Sequence, residues 1–344
     1  VDLSLAEILP HDRTGLLEGV ERIVVFDVPT TTRFRGLTRR DGLLIQGPRG
    51  WAEAAPFWNY SADQSAPWLA CALEWAGAGP WHSWQPPALV RRRVDVNVTI
   101  PAISAERAHA MTAISGARTA KVKISDHPGS FADDALRLEA VRDALGPNGK
   151  IRIDVNGAWD VDEAVRNLPL LDNAAGGLEY CEQPCATVEE LAQVRRQCDV
   201  PIAADESIRL SNQPQDVVRL EAADVAIIKV APLGGITRAT QIAETLGLPT
   251  IVSSALETSV GMATGLHLAG SLPNLAGACG LGTVKLLGRD VSVRPLIPVL
   301  HEMDVRPASI SAPLLKSASA NEDVSQRWQT RLIHMLGALS QRLR

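Results

Sequence analysis

From residue 94 onward, short apolar runs alternate with stretches of helical period. The runs fall at 94–100, 119–124, 151–155, 178–181, 201–204, 225–230, 250–253 and 276–280. Between them, Ser104 opens a helix that reaches about residue 115, and 133–145 forms a helix closed by Gly146-Pro147-Asn148-Gly149. A further helix spans 160–171, and Thr187 with Glu190 forms a capping box that opens the next. Gly247 ends the helix before the seventh strand. Eight strands in strict alternation with helices predict a (β/α)8 barrel, whose chemistry sits at the C-terminal ends of its strands.

Before residue 93 the rhythm differs. One or two short helices in 1–20 precede a strand at 22–28, a polar and cationic loop at 29–36, and a strand at 43–46. A turn at 47–50, a short strand at 51–56 and an amphipathic helix at 63–75 complete an α+β unit, joined to the barrel by a Trp- and Pro-rich linker at 80–87. After residue 290 the alternation is lost, and an amphipathic helix at 324–343 is expected to pack back on the N-terminal unit. The fold class is therefore α/β: a modified (β/α)8 barrel over 93–290, capped by an α+β domain built from 1–92 and the tail at 291–344. The 344 residues accommodate a barrel of ~250 residues and such an appendage.

Ionisable residues stand at the strand ends. Stepping from Lys123 to Asp154, Glu182, Asp205, Lys229, Ser253 and Cys279 takes 31, 28, 23, 24, 24 and 26 residues, about the length of one β/α unit. Asp154, Glu182 and Asp205 lie on three consecutive strands and must converge, where their mutual repulsion calls for a divalent cation. Oxygen ligands without His or Cys favour Mg²⁺. Lys123 and Lys229 flank this trio, opposed as a pair that can abstract a proton next to a chelated carboxylate and stabilise the resulting enediolate. Crowding by Lys121, Arg152 and the metal is expected to lower the pKa of Lys123 to the ~7–8 that suits a base. Asn156 points the same way as Asp154, two residues earlier.

Charge and composition narrow the partners. A net charge of −5 argues against a nucleic-acid or anionic-membrane surface, and no apolar run approaches the ~20 residues of a membrane span. The first thirty residues carry charges throughout, so no signal peptide is expected. Five cysteines, at 71, 181, 185, 198 and 279, have no paired spacing and read as reduced thiols of a cytoplasmic protein. A small-molecule carboxylate is the expected partner, with a monomer the simplest assembly.

The motifs Lys121-x-Lys123, Asp154-x-Asn156, Glu182-Gln-Pro184, Asp205-Glu-Ser207 and Lys229 resemble the enolase superfamily, in its muconate-lactonising-like branch. The longer runs 119–123, 178–187, 201–209, 229–235 and 253–257 resemble the actinobacterial o-succinylbenzoate synthases, over roughly residues 34–287. The resemblance implies dehydration of 2-succinyl-6-hydroxy-2,4-cyclohexadiene-1-carboxylate to o-succinylbenzoate, a step of menaquinone biosynthesis. It makes Asp154, Glu182 and Asp205 the Mg²⁺ ligands, Lys123 the base that later returns the proton, and Lys229 the cation that stabilises the enediolate. Arg152 would orient Lys123, while Ser253, Ser254, Gly280 and Gly282 would bind the succinyl and carboxylate groups. The segments 30–36 and 51–60 would cap the site.

Each motif has a plainer reading. Alone, Lys-x-Lys is a solvated strand edge and Asp-Val-Asn-Gly a turn; five in order at barrel spacing carry the argument. Glu206 is either a fourth ligand or, as preferred here, a partner of one of the lysines. Arg33 and Arg35 either contact a carboxylate or solvate their loop. The rival activity is an N-acylamino-acid racemase or another muconate-lactonising-like enzyme using the same two lysines. A dipeptide epimerase should carry an acidic pair near strand eight, where Cys279-Gly-Leu-Gly282 has none. A non-catalytic barrel should have lost a lysine or a ligand.

Overall fold

The computed structural model describes residues 2–34, 36–124 and 130–343. Near the N-terminus, β1 (Arg22–Phe34), β2 (Leu37–Gly47) and β3 (Gly50–Ala54) form an antiparallel sheet in that order. Alternation with period two gives each side of β1 a different partner. Ile23 and Val25 pack with the helices Ala62–Ala76 and Glu322–Arg342, whereas Val24, Phe26 and Val28 pack with Leu256, Val260, Leu286 and Leu287 of the barrel side. The sheet is thus buried on both faces and joins the outer helices to the barrel.

β4 (Arg93–Asp95) is followed by seven parallel strands: β5 (Val98–Ile100), β6 (Thr119–Lys123), β7 (Lys150–Asp154), β8 (Tyr180–Glu182), β9 (Ile202–Ala204), β10 (Val225–Lys229) and β11 (Thr250–Ser253). They pair in sequence order, each connection running through a helix. The eighth strand shrinks to two parallel bridges, Ser253 with Gly280 on one side and Cys279 with Val96 on the other, and these close the ring. Inside, Tyr180, Ala203, Ile227 and Ile251 form an apolar plug. The alternate residues Cys181, Ile202, Ala226, Ile228 and Val252 face the surrounding helices. The capping box at Thr187 and Glu190 forms in both directions.

Two expectations change. The loop expected at 29–36 is mostly strand, because β1 continues to Phe34 and turns directly into β2, with a register shift between Pro29 and Phe34. Its polar, Thr-rich sequence suits an exposed β-arm as well as a loop. The tail from 291 also divides. β12 (Glu302–Asp304) pairs antiparallel with β4, and Leu296 and Met303 join the barrel core. Val291, Leu315 and Ala318 pack with β1, and the buried face of Glu322–Arg342 (Trp328, Leu332, Met335, Leu336) covers the cap.

Candidate active site

At the C-terminal ends of the strands, period two points Lys121 and Lys123 of β6, Asp154 of β7 and Glu182 of β8 into the ring, joined by Asp205 after β9 and Lys229 of β10. Asp154, Glu182 and Asp205 are at most 1% exposed. Lys121 Nζ donates to both oxygens of Glu182 at 2.9 Å and lies 3.0 Å from Asp154 Oδ2. Lys123 Nζ donates to Asp154 Oδ2 and, at 2.8 Å, to Asn156 Oδ1. Lys229 Nζ donates to Asp205 Oδ2. Asn156, in the left-handed region at φ 54°, in turn donates to Glu206 Oε1 at 3.3 Å.

These contacts divide the carboxylates electrostatically. Burial opposes ionisation of Asp154, yet Lys123, Lys121 and Lys229 hold its carboxyl well below the usual range. Burial likewise opposes ionisation of Asp205, but Arg209 and Lys229 outweigh it and keep the carboxyl low. Glu182 goes the other way: burial, then the charge on Asp154, push it up to about 7 despite Lys121. Lys121 is held above its usual value, since Glu182 and Asp154 overcome the effect of burial.

A divalent cation suits this donor set. The oxygens are buried and all carboxylate, and burial together with the charge on Asp154 opposes ionisation of Glu182. As placed, the three carboxylates are spread around the lysines. Among the described residues, the one triple of ligand-type groups with donor atoms within 4.8 Å of one another is Asp95, His301 and Glu302, by the β4–β12 ribbon. Asp95 there is exposed and Glu302 pairs with Arg93 at 3.6 Å, as expected of a solvated rim.

A small, tightly filled cavity joins the two lysine strands. Its lining includes Lys121, Lys123 and Lys229 together with Ser253, Ser254, Gly280 and Thr283, Lys229 being the strand neighbour of Ser253. Phe34 at the tip of β1 roofs it, with its ring 5.7 Å from Lys123 Nζ. Gly280 leaves room that a side chain would fill, because a Cβ there would lie 2.4 Å from Ser253 Oγ.

Not every candidate gathers here. Arg152 does not orient Lys123: one pleat below Asp154, it donates to Glu179, to Asn97 Oδ1 at 3.3 Å and to Ala278 O at 2.6 Å, and stacks over Tyr180. A residue two positions earlier on a strand lies ~6.6 Å lower, so Arg152 belongs to the layer beneath the carboxylates. Lys121 starts from that same layer, but its ammonium turns up to Glu182 and Asp154. Gly282 lines a neighbouring apolar cavity with Met111, Ile114 and Leu300. Arg33 is exposed, and Arg35 lies outside the described residues. Of the segment 51–60, Tyr60 reaches the site through Arg209, while Trp58 binds Asp41 and packs on Trp328.

Two residues went unnoticed as site components. Arg209 donates to Asp205 Oδ1 at 3.0 Å, Glu206 Oε1 at 2.7 Å and Tyr60 Oη at 2.6 Å. Its spacing of three and four residues from the two acids, on one helical turn, was the available signal. Gln183, fully buried, accepts from the backbone N–H groups of Asp205 and Ser207 at 3.0 and 3.1 Å and donates to Ser207 Oγ at 2.7 Å. It ties the end of β8 to the turn after β9.

Residues 104–308 match the family described as enolase C-terminal domain-like, and residues 25–76 that described as enolase N-terminal domain-like. The o-succinylbenzoate synthase of Thermobifida fusca is 52% identical over 89% of this chain and 93% of its own. That of Mycolicibacterium smegmatis is 47% identical over 91% and 94%. The chain belongs to the o-succinylbenzoate synthase family of the enolase superfamily. An N-succinyl Arg/Lys racemase from Bacillus cereus shares the family's fold at TM-score 0.73, with 18% identity over 88% of this chain and 99% of its own.

Proposed function

We propose that the chain is an o-succinylbenzoate synthase, a hydro-lyase of menaquinone biosynthesis acting on 2-succinyl-6-hydroxy-2,4-cyclohexadiene-1-carboxylate. The observation that carries this reading is one cavity lined by Lys123 and Lys229, with three buried carboxylates on the strands between them. Family membership at 47–52% identity favours this over racemisation of N-acylamino acids.

Asp154, Glu182 and Asp205 would hold Mg²⁺, which when bound supplies Lewis-acid stabilisation of charge on the substrate carboxylate. The remaining chemistry belongs to the chain. Lys123, as the free amine, takes the proton α to the ring carboxylate. The C–O bond to the ring hydroxyl then breaks, Lys123 returns its proton to the departing oxygen, and water leaves as the ring becomes aromatic. Lys229 stays an ammonium throughout and stabilises the enediolate charge between the two transfers. Asn156 holds Lys123 beside Asp154, and Arg209 with Gln183 fixes Asp205. Ser253, Ser254 and the backbone at Gly280 face the part of the substrate away from the lysines.

Charge supports an anionic substrate. The contacts join four carboxylates (Asp154, Glu182, Asp205, Glu206) with four cations (Lys121, Lys123, Lys229, Arg209). With Lys123 as the free amine, a divalent cation added to this set leaves a net positive charge, which an anionic substrate offsets. No helix of the described residues is long and apolar enough to cross a membrane, and all five cysteines are free. We take the protein as a cytoplasmic monomer with no nucleic-acid or membrane partner, its cap formed by 1–92 with the tail. The test is formation of the aromatic product, followed by its absorbance, with and without EDTA and with an N-acylamino acid assayed in parallel. Racemisation without aromatic product would overturn the proposal.

A further inference from the structure

A second buried polar cluster lies between the cap and the barrel, outside the machinery described above. Arg40, on β2, is 1% exposed and stacks on Phe57 at 4.5 Å. Its guanidinium donates across the domain boundary to Leu256 O at 3.0 Å and Ala255 O at 3.3 Å, and within the cap to Ala55 O. Glu53, on β3 and 4% exposed, accepts from Thr258 N at 3.1 Å, Thr258 Oγ1 at 2.5 Å and Gly261 N at 3.1 Å. It thereby adds a cap from another domain to the start of the barrel helix Ser259–Ser271, where Thr258 Oγ1 accepts from Val260 N and Asp290 from Ser259 N. Glu257 folds back to accept from Ala255 N at 2.7 Å. Gly261 permits this convergence, since a Cβ there would lie 2.7 Å from Glu257 and 3.1 Å from the Glu53 carboxyl carbon.

The loop so gripped is strained and sits on the active site. Leu256 has φ 65°, a costly conformation for a branched side chain without local compensation. Ala255 and Leu256 line the cavity beside Lys229 and Ser253. Such strain persists only where the surroundings over-determine it, and here much of the constraint comes from the cap.

We propose that Arg40 and Glu53 are positioning residues for the reaction: from the cap, they hold Ala255 and Leu256 as the cavity wall that places the substrate against the two lysines. Neither side chain touches the reacting atoms. Docking of the cap and shape of the site are then one event, so that a cap loosened at this point leaves the carboxylates and lysines intact but the substrate misplaced.

The experiment uses Arg40→Lys and Glu53→Gln in the full-length enzyme, read by steady-state kinetics and by amide hydrogen exchange. An ammonium cannot reproduce the forked contacts of Arg40. Because ~1 Å of misplacement costs on the order of 10²-fold in rate, Arg40→Lys should lower kcat by about 10- to 100-fold and change KM by less than about threefold. Glu53→Gln, which keeps its shape and one acceptor oxygen, should lose several-fold in kcat. In both, exchange should quicken at Ala255, Thr258 and Gly261 while the amides of β6 to β10 keep their protection. Wild-type kcat with unchanged exchange at those three amides would overturn the proposal, as would faster exchange throughout the barrel, the mark of a merely structural role. Should Arg40→Lys fail to fold, Glu53→Gln decides by the same two readouts. The kinetic arm rests on the dehydration reading, whereas the exchange arm does not. A wild-type enzyme without dehydratase activity would therefore remove that reading and leave the grip on the loop to be decided by exchange.

Discussion

The active-site cavity has two unlike walls. One, from β6 to β10, is built of long ionisable side chains at successive strand ends, each held by an oppositely charged neighbour. The other, from β11 through the two-residue eighth strand, is made of Ser253, Ser254, Ala255, Leu256, Gly280 and Thr283, small or apolar residues whose backbone matters as much as their side chains. In the proposed reaction the first wall does chemistry through charge, which acts over several ångströms and tolerates little change of residue type. The second recognises shape, which depends on where the backbone runs and on the cap that holds it. The difference implies that substitutions on the charged wall stop turnover, while those on the small wall mainly alter binding or placement.

The sharpest way to break this contrast is at Lys123. General acid–base catalysis contributes ~10²–10⁴-fold per transfer, so Lys123→Ala should remove essentially all turnover. Lys123→Arg should not restore it, because a guanidinium does not deprotonate. Lys229→Arg, which keeps a positive charge, should retain more activity than Lys229→Ala. Rates with substrate deuterated at the α-carbon measure all four variants. Turnover by Lys123→Ala but not by Lys229→Ala would reverse the two roles.

Next in size are the proposed metal ligands. Asp205→Asn, or EDTA on the wild type, should abolish aromatic product. The variant should also lose about 3 kcal/mol of stability, because Arg209 and Lys229 are left buried beside a neutral side chain. Urea denaturation checks this, and an Asp205→Asn protein as stable as wild type would show that these pairs add nothing to the fold.

On the small wall, Gly280→Ala should raise KM by about tenfold and change kcat less, since the new Cβ must displace Ser253 Oγ. Ser254→Ala, which removes hydrogen bonds to Gly280 O at 2.7 Å and Thr283 Oγ1 at 2.9 Å, should cost about 1 kcal/mol of stability. A large loss of kcat in either, at unchanged KM, would dissolve the distinction between the walls.

The smallest effect concerns pH and the boundary that supports the second wall. Burial above all, with the charge on Glu257, pushes Glu53 up to about 8, against the pull of Thr258, Arg40 and Gly261. Folded protein thus keeps a proton that the unfolded chain releases near its ordinary 4.5. The stability linked to that proton is complete below this lower value and is lost as pH rises through the upper one. Glu53→Gln cannot ionise, so its urea midpoint relative to wild type should climb across that window. Parallel midpoints would place the Glu53 carboxyl in an ordinary environment.

The charged wall was legible because its information is local. An ionisable residue ending an apolar run, repeated at barrel spacing, needs only the alternation of strand and helix to converge on its neighbours. Arg152 shows the limit of that argument: period two correctly turns it inward, but height along the strand separates it from Asp154 and gives it to Glu179. Arg209 carried a readable helical spacing to Asp205 and Glu206, yet its third partner, Tyr60, is 149 residues away.

By itself, the sequence determined the barrel, the order of its strands, the three carboxylates and the two lysines, because hydrophobic periodicity and strand-end position are properties of neighbouring residues. The three-dimensional packing alone brings Lys121 up to Glu182, makes residues 22–34 one long arm that places Phe34 over Lys123, and has Arg40 and Glu53 grip a strained loop from another domain. Those outcomes depend on side-chain reach, on which faces bury each other, and on contacts between residues more than two hundred positions apart. No local pattern encodes them.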